Sequence, residues 1–253
     1  MHDNRMTTEI LTIDKGQCLT DVLPAIPANT IFDKTITGCG ATHSEIVNAA
    51  RHSIIIEPNI PVILGKKAEH PFLFAVYEGI TKEDVKAYLA GEHDGYRKII
   101  TTPEGFDKKV LPAMHELEIP VYKDYFLLFD ECEKAIQDVG YRGDIYLPVE
   151  DFFKFENKAM VSATPIVPSD PRFEENGFKI LKLVPTYDSR IELTLCTTNN
   201  TVAVMRKLLK RLENETVCVF LNSTETILSL IYALRLQGRS RVFCSEKSVR
   251  KLK

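Results

Sequence analysis

The chain of 253 residues has no tryptophan, and its six cysteines (18, 39, 132, 196, 218 and 244) lie far apart, with no C-x-x-C pair among them. The missing tryptophan decides nothing. The cysteine spacing argues against zinc and against a disulfide framework, and it fits a reducing, cytoplasmic setting. Long apolar runs are also missing: the longest, such as Tyr125 to Phe129, fall far short of the roughly 20 residues a membrane helix needs. Met1 to Thr12 lacks the apolar core of a signal peptide. No membrane partner is therefore expected. Nor does one sign of charge dominate. With 32 basic and 35 acidic residues the net charge is −3, so any nucleic-acid contact must be local rather than the work of a global basic field. There is no internal repeat and no low-complexity tract. What is present is an ordinary globular composition, 44% hydrophobic and 26% charged, at a length for one large or two small domains.

Apolar runs alternate with helical patterns along the chain. Residues 1–29 read as a lead-in segment with one strand candidate at Ile10 to Ile13 and a short helix or loop around Leu19 to Leu23, closed by Pro24 and Pro27. Strands are expected at Thr30 to Lys34, Ser53 to Glu57, Phe72 to Val76, Arg97 to Thr101, Tyr125 to Phe129, Ala159 to Val161 and Lys179 to Val184. Helices are expected from about Thr42, from Thr81 with a capping pattern, and across Phe106, Val110 and Met114. The stretch after Pro58-Asn59 reads as irregular, and Asp144 to Phe155 as a loop with a short helix. This alternation predicts an α/β doubly wound parallel sheet, with ligands at the C-terminal ends of its strands.

The domain of residues 30–184 is expected to be followed by a second at 185–253. The latter shows strands at Glu192 to Cys196, Val217 to Leu221 and Arg241 to Cys244, with helices from Thr201 and across Ile227, Ile231 and Leu234. Three strands and two helices make half of such a domain, which predicts a truncated second unit.

Between the first strand and its helix lies Asp33-Lys34-Thr35-Ile36-Thr37-Gly38-Cys39-Gly40-Ala41-Thr42. Glycines at 38 and 40 let backbone N–H groups turn inward on an anion, and the helix adds its positive end. The phosphate loop G-x-x-x-x-G-K-[ST] supplies a lysine to the outer phosphates and a hydroxyl to magnesium. Aligned on Gly40, the hydroxyl is Thr42, while Ala41 fills the lysine slot and Thr35 the first glycine slot. Further on, the apolar strand Tyr125 to Phe129 runs into Asp130-Glu131-Cys132-Glu133. A phosphate loop followed by such a strand is the two-part site of a nucleotide hydrolase. Thr42 and Asp130 would hold Mg2+, and Glu131 would polarise the attacking water.

These segments, in this order, resemble the superfamily 2 helicases and their helicase-like relatives, which are P-loop NTPases with RecA-like domains. Gly38-Cys39-Gly40-Ala41-Thr42 is similar to motif I (Walker A), Glu57-Pro58-Asn59 to motif Ia, and Thr101-Thr102-Pro103-Glu104 to motif Ib. Asp130-Glu131-Cys132-Glu133 matches the DEAD-like motif II, Ser162-Ala163-Thr164 motif III, and Phe220-Leu221-Asn222-Ser223 motif IV. The resemblance covers residues 31 to about 245. More narrowly, the lysine-free loop resembles helicase-like proteins of bacterial mobile elements and phages.

The resemblance implies a RecA-like fold and an ATPase that moves on, or remodels, single-stranded or duplex nucleic acid. ATP and Mg2+ are the implied cofactors. Gly38, Cys39, Gly40, Ala41 and Thr42 would bind nucleotide, with Asp130 and Glu131 catalytic. Ser162 and Thr164 would couple hydrolysis to movement, and Pro58, Asn59, Thr101 and Thr102 would contact the nucleic-acid backbone. Motifs V and VI, with their arginine finger, lie outside this sequence, so turnover by the chain alone is expected to be weak or absent.

The missing lysine leaves two readings. Either another cation takes its place, Lys34 being the first candidate, or the fold is kept as a catalytically silent scaffold that binds nucleotide or nucleic acid. Gln17 is a candidate adenine reader or simply a solvated turn residue. His43 either faces a phosphate or is exposed on the first helical turn, and Cys39 and Cys132 are read as small side chains in tight places. The basic C-terminal run Arg235, Arg239, Arg241, Lys247, Arg250, Lys251 and Lys253 is either a nucleic-acid edge or a solvated face.

Overall fold

The computed structural model describes residues 6–132, 147–164, 170–190, 193–211, 215–221, 223–242 and 244. The chain divides into two compact units, Met1–Arg190 and Ile191–Lys253. The first is built on one eight-stranded sheet, every strand pair of which is parallel. Its strands are β1 (Thr8–Ile13), β2 (Thr30–Asp33), β3 (His52–Ile56), β4 (Phe74–Val76), β5 (Lys98–Thr101), β6 (Tyr125–Phe129), β7 (Asn157–Ser162) and β8 (Lys179–Pro185). They lie in the order β1-β8-β2-β7-β6-β3-β5-β4.

Strand β6 is apolar throughout, and β3 from Ile54 to Ile56, because both faces of the sheet are covered there. In β6, Tyr125, Leu127 and Phe129 enter one core while Phe126 and Leu128 enter the other. In β3, Ile54 and Ile56 face the first core and Ile55 the second. A period of two on a doubly covered sheet leaves no solvent-facing side, which is why these runs look continuous in sequence.

The helices α1 (Leu19–Val22), α2 (Ala41–Val47), α3 (Ile60–Glu69) and α4 (Lys82–Ala90) follow β1, β2, β3 and β4 in turn. Thr81 caps α4 as its sequence predicts: its hydroxyl accepts from the Asp84 N–H, and Asp84 returns the bond to the Thr81 N–H. After β5 the chain winds through Pro103–Gly105, a π-helical turn Phe106–Val110 and Leu111–Glu116, burying Phe106, Val110 and Met114. Gly105 sits where a Cβ would lie 2.6 Å from Thr101 Oγ1, so only glycine fits this approach of helix to strand.

Three expectations need correction. The stretch after Asn59 is the regular helix α3, with Pro61 in its first turn and Lys66 and Lys67 in its last. Those are helix-start and helix-end signals that its weak apolar periodicity hides. The lead-in segment does not stand apart from the sheet, because β1 pairs with β8 along Thr8 to Ile13. In the second unit the helices Thr201–Arg211 and Thr224–Ala233 form, capped by Asn200 and Ser223. The described residues of 192–196, 217–221 and 241–244, however, form no strand. Leu193, Leu195 and Phe220 are almost fully exposed. A strand exists only through its neighbours, and none pairs with these runs.

Candidate nucleotide site

All the polar segments singled out in the first unit fall at the C-terminal edge of the sheet. Across that edge come Lys34 after β2, Ser162 at the end of β7, Asp130 after β6, Glu57 after β3 and Thr102 after β5. The order follows from the topology: α2 carries the chain from β2 past two later strands to β3, which opens a crevice above β2, β7 and β6.

The loop between β2 and α2 turns through left-handed backbone at Thr35, Gly38 and Gly40, with φ of 41°, 75° and 87°. A β-branched residue at positive φ is costly, and Thr35 is held there by its hydroxyl, which donates to Leu183 O at 2.5 Å, and by its N–H, which donates to Asp33 Oδ1 at 3.1 Å. No atom lies within 4 Å of a Cβ built on Gly38, so the loop is open there. Ala41 is buried in the core, and Cys39 is buried as well. The Cys39 carbonyl accepts the Leu19 N–H at 2.8 Å, which docks α1 against the loop, and burial raises the Cys39 thiol pKa.

Lys34 does not point beneath the sheet. Its Nζ lies 2.9 Å from Glu131 Oε1 and 3.4 Å from Asp130 Oδ1, with the side chain nearly buried. Burial alone would lower its pKa, but the charges of Asp130 and Glu131 outweigh that and raise it, so Lys34 is a fixed cation. Asp130 is 2% exposed. Besides Lys34 it takes the Thr42 hydroxyl on Oδ2 and the Glu131 N–H on Oδ1 at 2.9 Å. Glu131 adopts φ of 51°, a left-handed turn directly after the strand. The sheet thus gathers Lys34, Thr42, Asp130 and Glu131 into one cluster.

Thr42 and Asp130, a hydroxyl and a carboxylate in direct contact beside an open glycine loop, form a hard-oxygen pair. That suits Mg2+, which takes one or two protein oxygens and completes its shell with phosphate and water. Among the described residues no group of three or more His, Cys, Asp or Glu side chains converges as a metal site of protein ligands alone.

Ser162 is buried beside the loop. Its carbonyl accepts the Lys34 N–H at 2.9 Å and its hydroxyl accepts the Thr164 N–H at 2.9 Å. Pro58 and Thr102 line a cavity of about 270 Å3 with Ile60, Tyr77, Lys108 and Lys109, whereas Thr101 is fully buried with its hydroxyl donating to Thr102 O. Asn59 turns back to Glu57, donating its N–H and its Nδ2 to Oε1, both at 2.8 Å. Gln17 accepts the Asp14 N–H on its side chain at 2.7 Å, closing a local turn. His43 meets His70 at 3.2 Å, ring nitrogen to ring nitrogen. Glu133, Asn222, Lys247, Arg250, Lys251 and Lys253 lie outside the described residues.

Glu57 opens the segment matched to motif Ia, yet the motif reading gives it no role of its own. It is 2% exposed, and burial together with the neighbouring Asp130 charge raises its pKa to about 7. In the sequence it shows as a charged residue closing the apolar run Ser53 to Ile56, at the start of that motif.

Comparison with known proteins bears on the fold. No protein-family model matches the chain, and no curated protein does. The solved structure of the DUF1998 helicase MrfA superposes with a TM-score of 0.55 at 14% identity, covering 88% of this chain and 39% of that one. The Pyrococcus furiosus Hef helicase domain gives a TM-score of 0.40 at 12% identity, covering 94% of this chain and 52% of that one, too loose an overlap to carry an argument. The chain therefore spans well under half the length of the MrfA structure. At these identities what is shared is architecture: the first unit has an α/β, RecA-like, helicase-like fold.

Proposed function

We propose that the crevice above β2, β7 and β6 binds ATP with Mg2+, and that the protein is a nucleic-acid-dependent ATPase of helicase type whose loop cation has moved from the helix to the strand. The observation that carries this reading is the placement of Lys34. Its ammonium reaches the acidic pair Asp130 and Glu131, beside the loop, from a starting point at the tip of β2.

In this scheme the loop N–H groups and the start of α2 hold the phosphates, and Lys34 swings from Glu131 toward them as they enter. Glu131, released from that ion pair, orients and polarises the attacking water. Thr42 and Asp130 would hold Mg2+, which supplies charge neutralisation at the outer phosphate oxygens when bound. Ser162, bonded to the backbone of Lys34, would link loop movement to Thr164. Nucleic acid would lie over the tips of β3, β5 and β4, where Pro58 and Thr102 meet Lys108 and Lys109.

One observation favours a silent scaffold instead: Ala41 is packed into the core, so no side chain projects from the usual lysine position. ATP turnover with and without single-stranded DNA separates the two. Activity in the wild type that is lost in both Lys34→Ala and Glu131→Gln supports the enzyme. An inactive wild type that gains turnover in Ala41→Lys sinks it.

A further inference from the structure

Glu57 lies between the nucleotide crevice and the cavity beside it. Its backbone N–H donates to Thr101 O at 2.9 Å, and the carbonyl of the preceding Ile56 accepts the Asp130 N–H at 2.9 Å. The Glu57 backbone is therefore fixed where the tips of β5, β3 and β6 meet. Among the described residues no lysine or arginine pairs with its carboxylate. A buried carboxylate without a cation is costly, and an apolar side chain would close the same strand more cheaply. What the carboxylate does hold is Asn59, through two bonds to one oxygen. Asn59 is the N-cap residue of α3, and its side chain makes no cap bond because Glu57 has taken it. On the other side, the negative charges of Asp130 and Glu131 act on the same carboxylate.

We infer that Glu57 is a positioning residue that couples occupancy of the phosphate loop to the Asn59 turn, and so to the nucleic-acid cavity; this rests on the nucleotide reading above. While the crevice holds only its own carboxylates, their charge opposes that of Glu57. A nucleotide with its cation is still net negative, so its entry changes the field at Glu57 and with it the strength of Glu57 as acceptor for the two Asn59 N–H groups. The Asn59 turn shifts with it. Its neighbours Pro58 and Ile60 both line the cavity of about 270 Å3, so the shape offered to a nucleic-acid strand follows the state of the crevice. Because such coupling is reciprocal, a strand in the cavity alters nucleotide affinity by the same factor.

The test uses the full chain, fluorescence anisotropy of a labelled oligothymidylate, and a non-hydrolysable ATP analogue with Mg2+. The oligonucleotide Kd in the wild type is expected to change at least about 5-fold when the analogue is added. In Glu57→Gln that ratio should fall to about one, because the amide keeps the acceptor oxygen and loses the charge that senses the crevice. Asn59→Ala should lose the same ratio, and the double variant should lose no more than either single one, since the two act as a unit. A packing role alone would lower the melting temperature and leave the ratio intact. Should Glu57→Gln not fold, Asn59→Ala reads the same link without touching the buried group. A wild-type ratio retained in either variant overturns the inference. A wild type that binds the analogue with no change in oligonucleotide Kd overturns it while leaving the nucleotide reading standing. A wild type that binds no analogue overturns both.

Discussion

The Lys34 ammonium sits 2.9 Å from Glu131 Oε1 and 3.4 Å from Asp130 Oδ1, though 97 and 96 residues separate them in sequence. The pair is close because β2 and β6 flank β7 in one parallel sheet, so their C-terminal tips open on the same crevice. A phosphate site needs a cation at a place, and the place can be reached from more than one backbone position. On the proposed reading a strand end supplies that cation here, while Ala41 keeps the helix start small and buried.

On the proposed nucleotide reading, replacing Lys34 with alanine removes a charge-assisted contact to phosphate. The expected loss is about 1.5–3 kcal/mol, or roughly 10- to 150-fold in affinity for a fluorescent ATP analogue. Equal affinity in wild type and Lys34→Ala would show that the ammonium serves only the two carboxylates.

Three residues beyond Thr42 on α2, Glu45 is fully buried. It accepts Arg51 Nη2 and the Ser53 hydroxyl, both at 2.5 Å, and lies 3.7 Å from Lys98, itself 3% exposed. Glu45→Ala leaves Lys98 buried without its counter-charge and should cost about 3–5 kcal/mol in urea unfolding. Combining Glu45→Leu with Lys98→Met should recover most of that loss, since no charge then stays stranded.

Gly105→Ala places a methyl group 2.6 Å from Thr101 Oγ1 and 3.2 Å from Val76 O. Val76 O is backbone and cannot rotate away, so β4, β5 and the helical segment must shift apart. A loss of about 1–3 kcal/mol is expected. An unchanged denaturation midpoint would mean that the helix start is free to move.

The pKa of Glu57 is raised from 4.5 to about 7 in the folded protein, first by burial and then by Asp130. The folded state holds this proton more tightly than the unfolded one. Its contribution is therefore fully present below about pH 4.5 and lost as pH rises through 7. The difference is on the order of 3 kcal/mol. Urea titrations from pH 4.5 to 8 should show this decline in wild type and a flatter profile in Glu57→Gln.

Much of this was legible in the sequence. Tyr125–Phe129 and its neighbours announce buried parallel strands because an unbroken apolar run is what a doubly covered sheet requires. The capping box at Thr81 marks a helix start through local hydrogen bonding alone. Helix α3 was hidden because only Ile63 is fully buried in it, so no apolar stripe announces it. The strands expected in the second unit failed for a related reason: a period-two run states a preference for a partner and does not supply one.

The sequence by itself determined the alternation of strand and helix, the glycine turns of the loop and the absence of lysine at position 41, since each depends on a residue and its near neighbours. Only the tertiary structure decided that Lys34 faces Asp130 and Glu131, that Thr42 touches Asp130, and that the Glu57 side chain is buried and bonded to Asn59. Those relations depend on strand order. Strand order is set by how a whole sheet buries both faces at once, and no local pattern contains it.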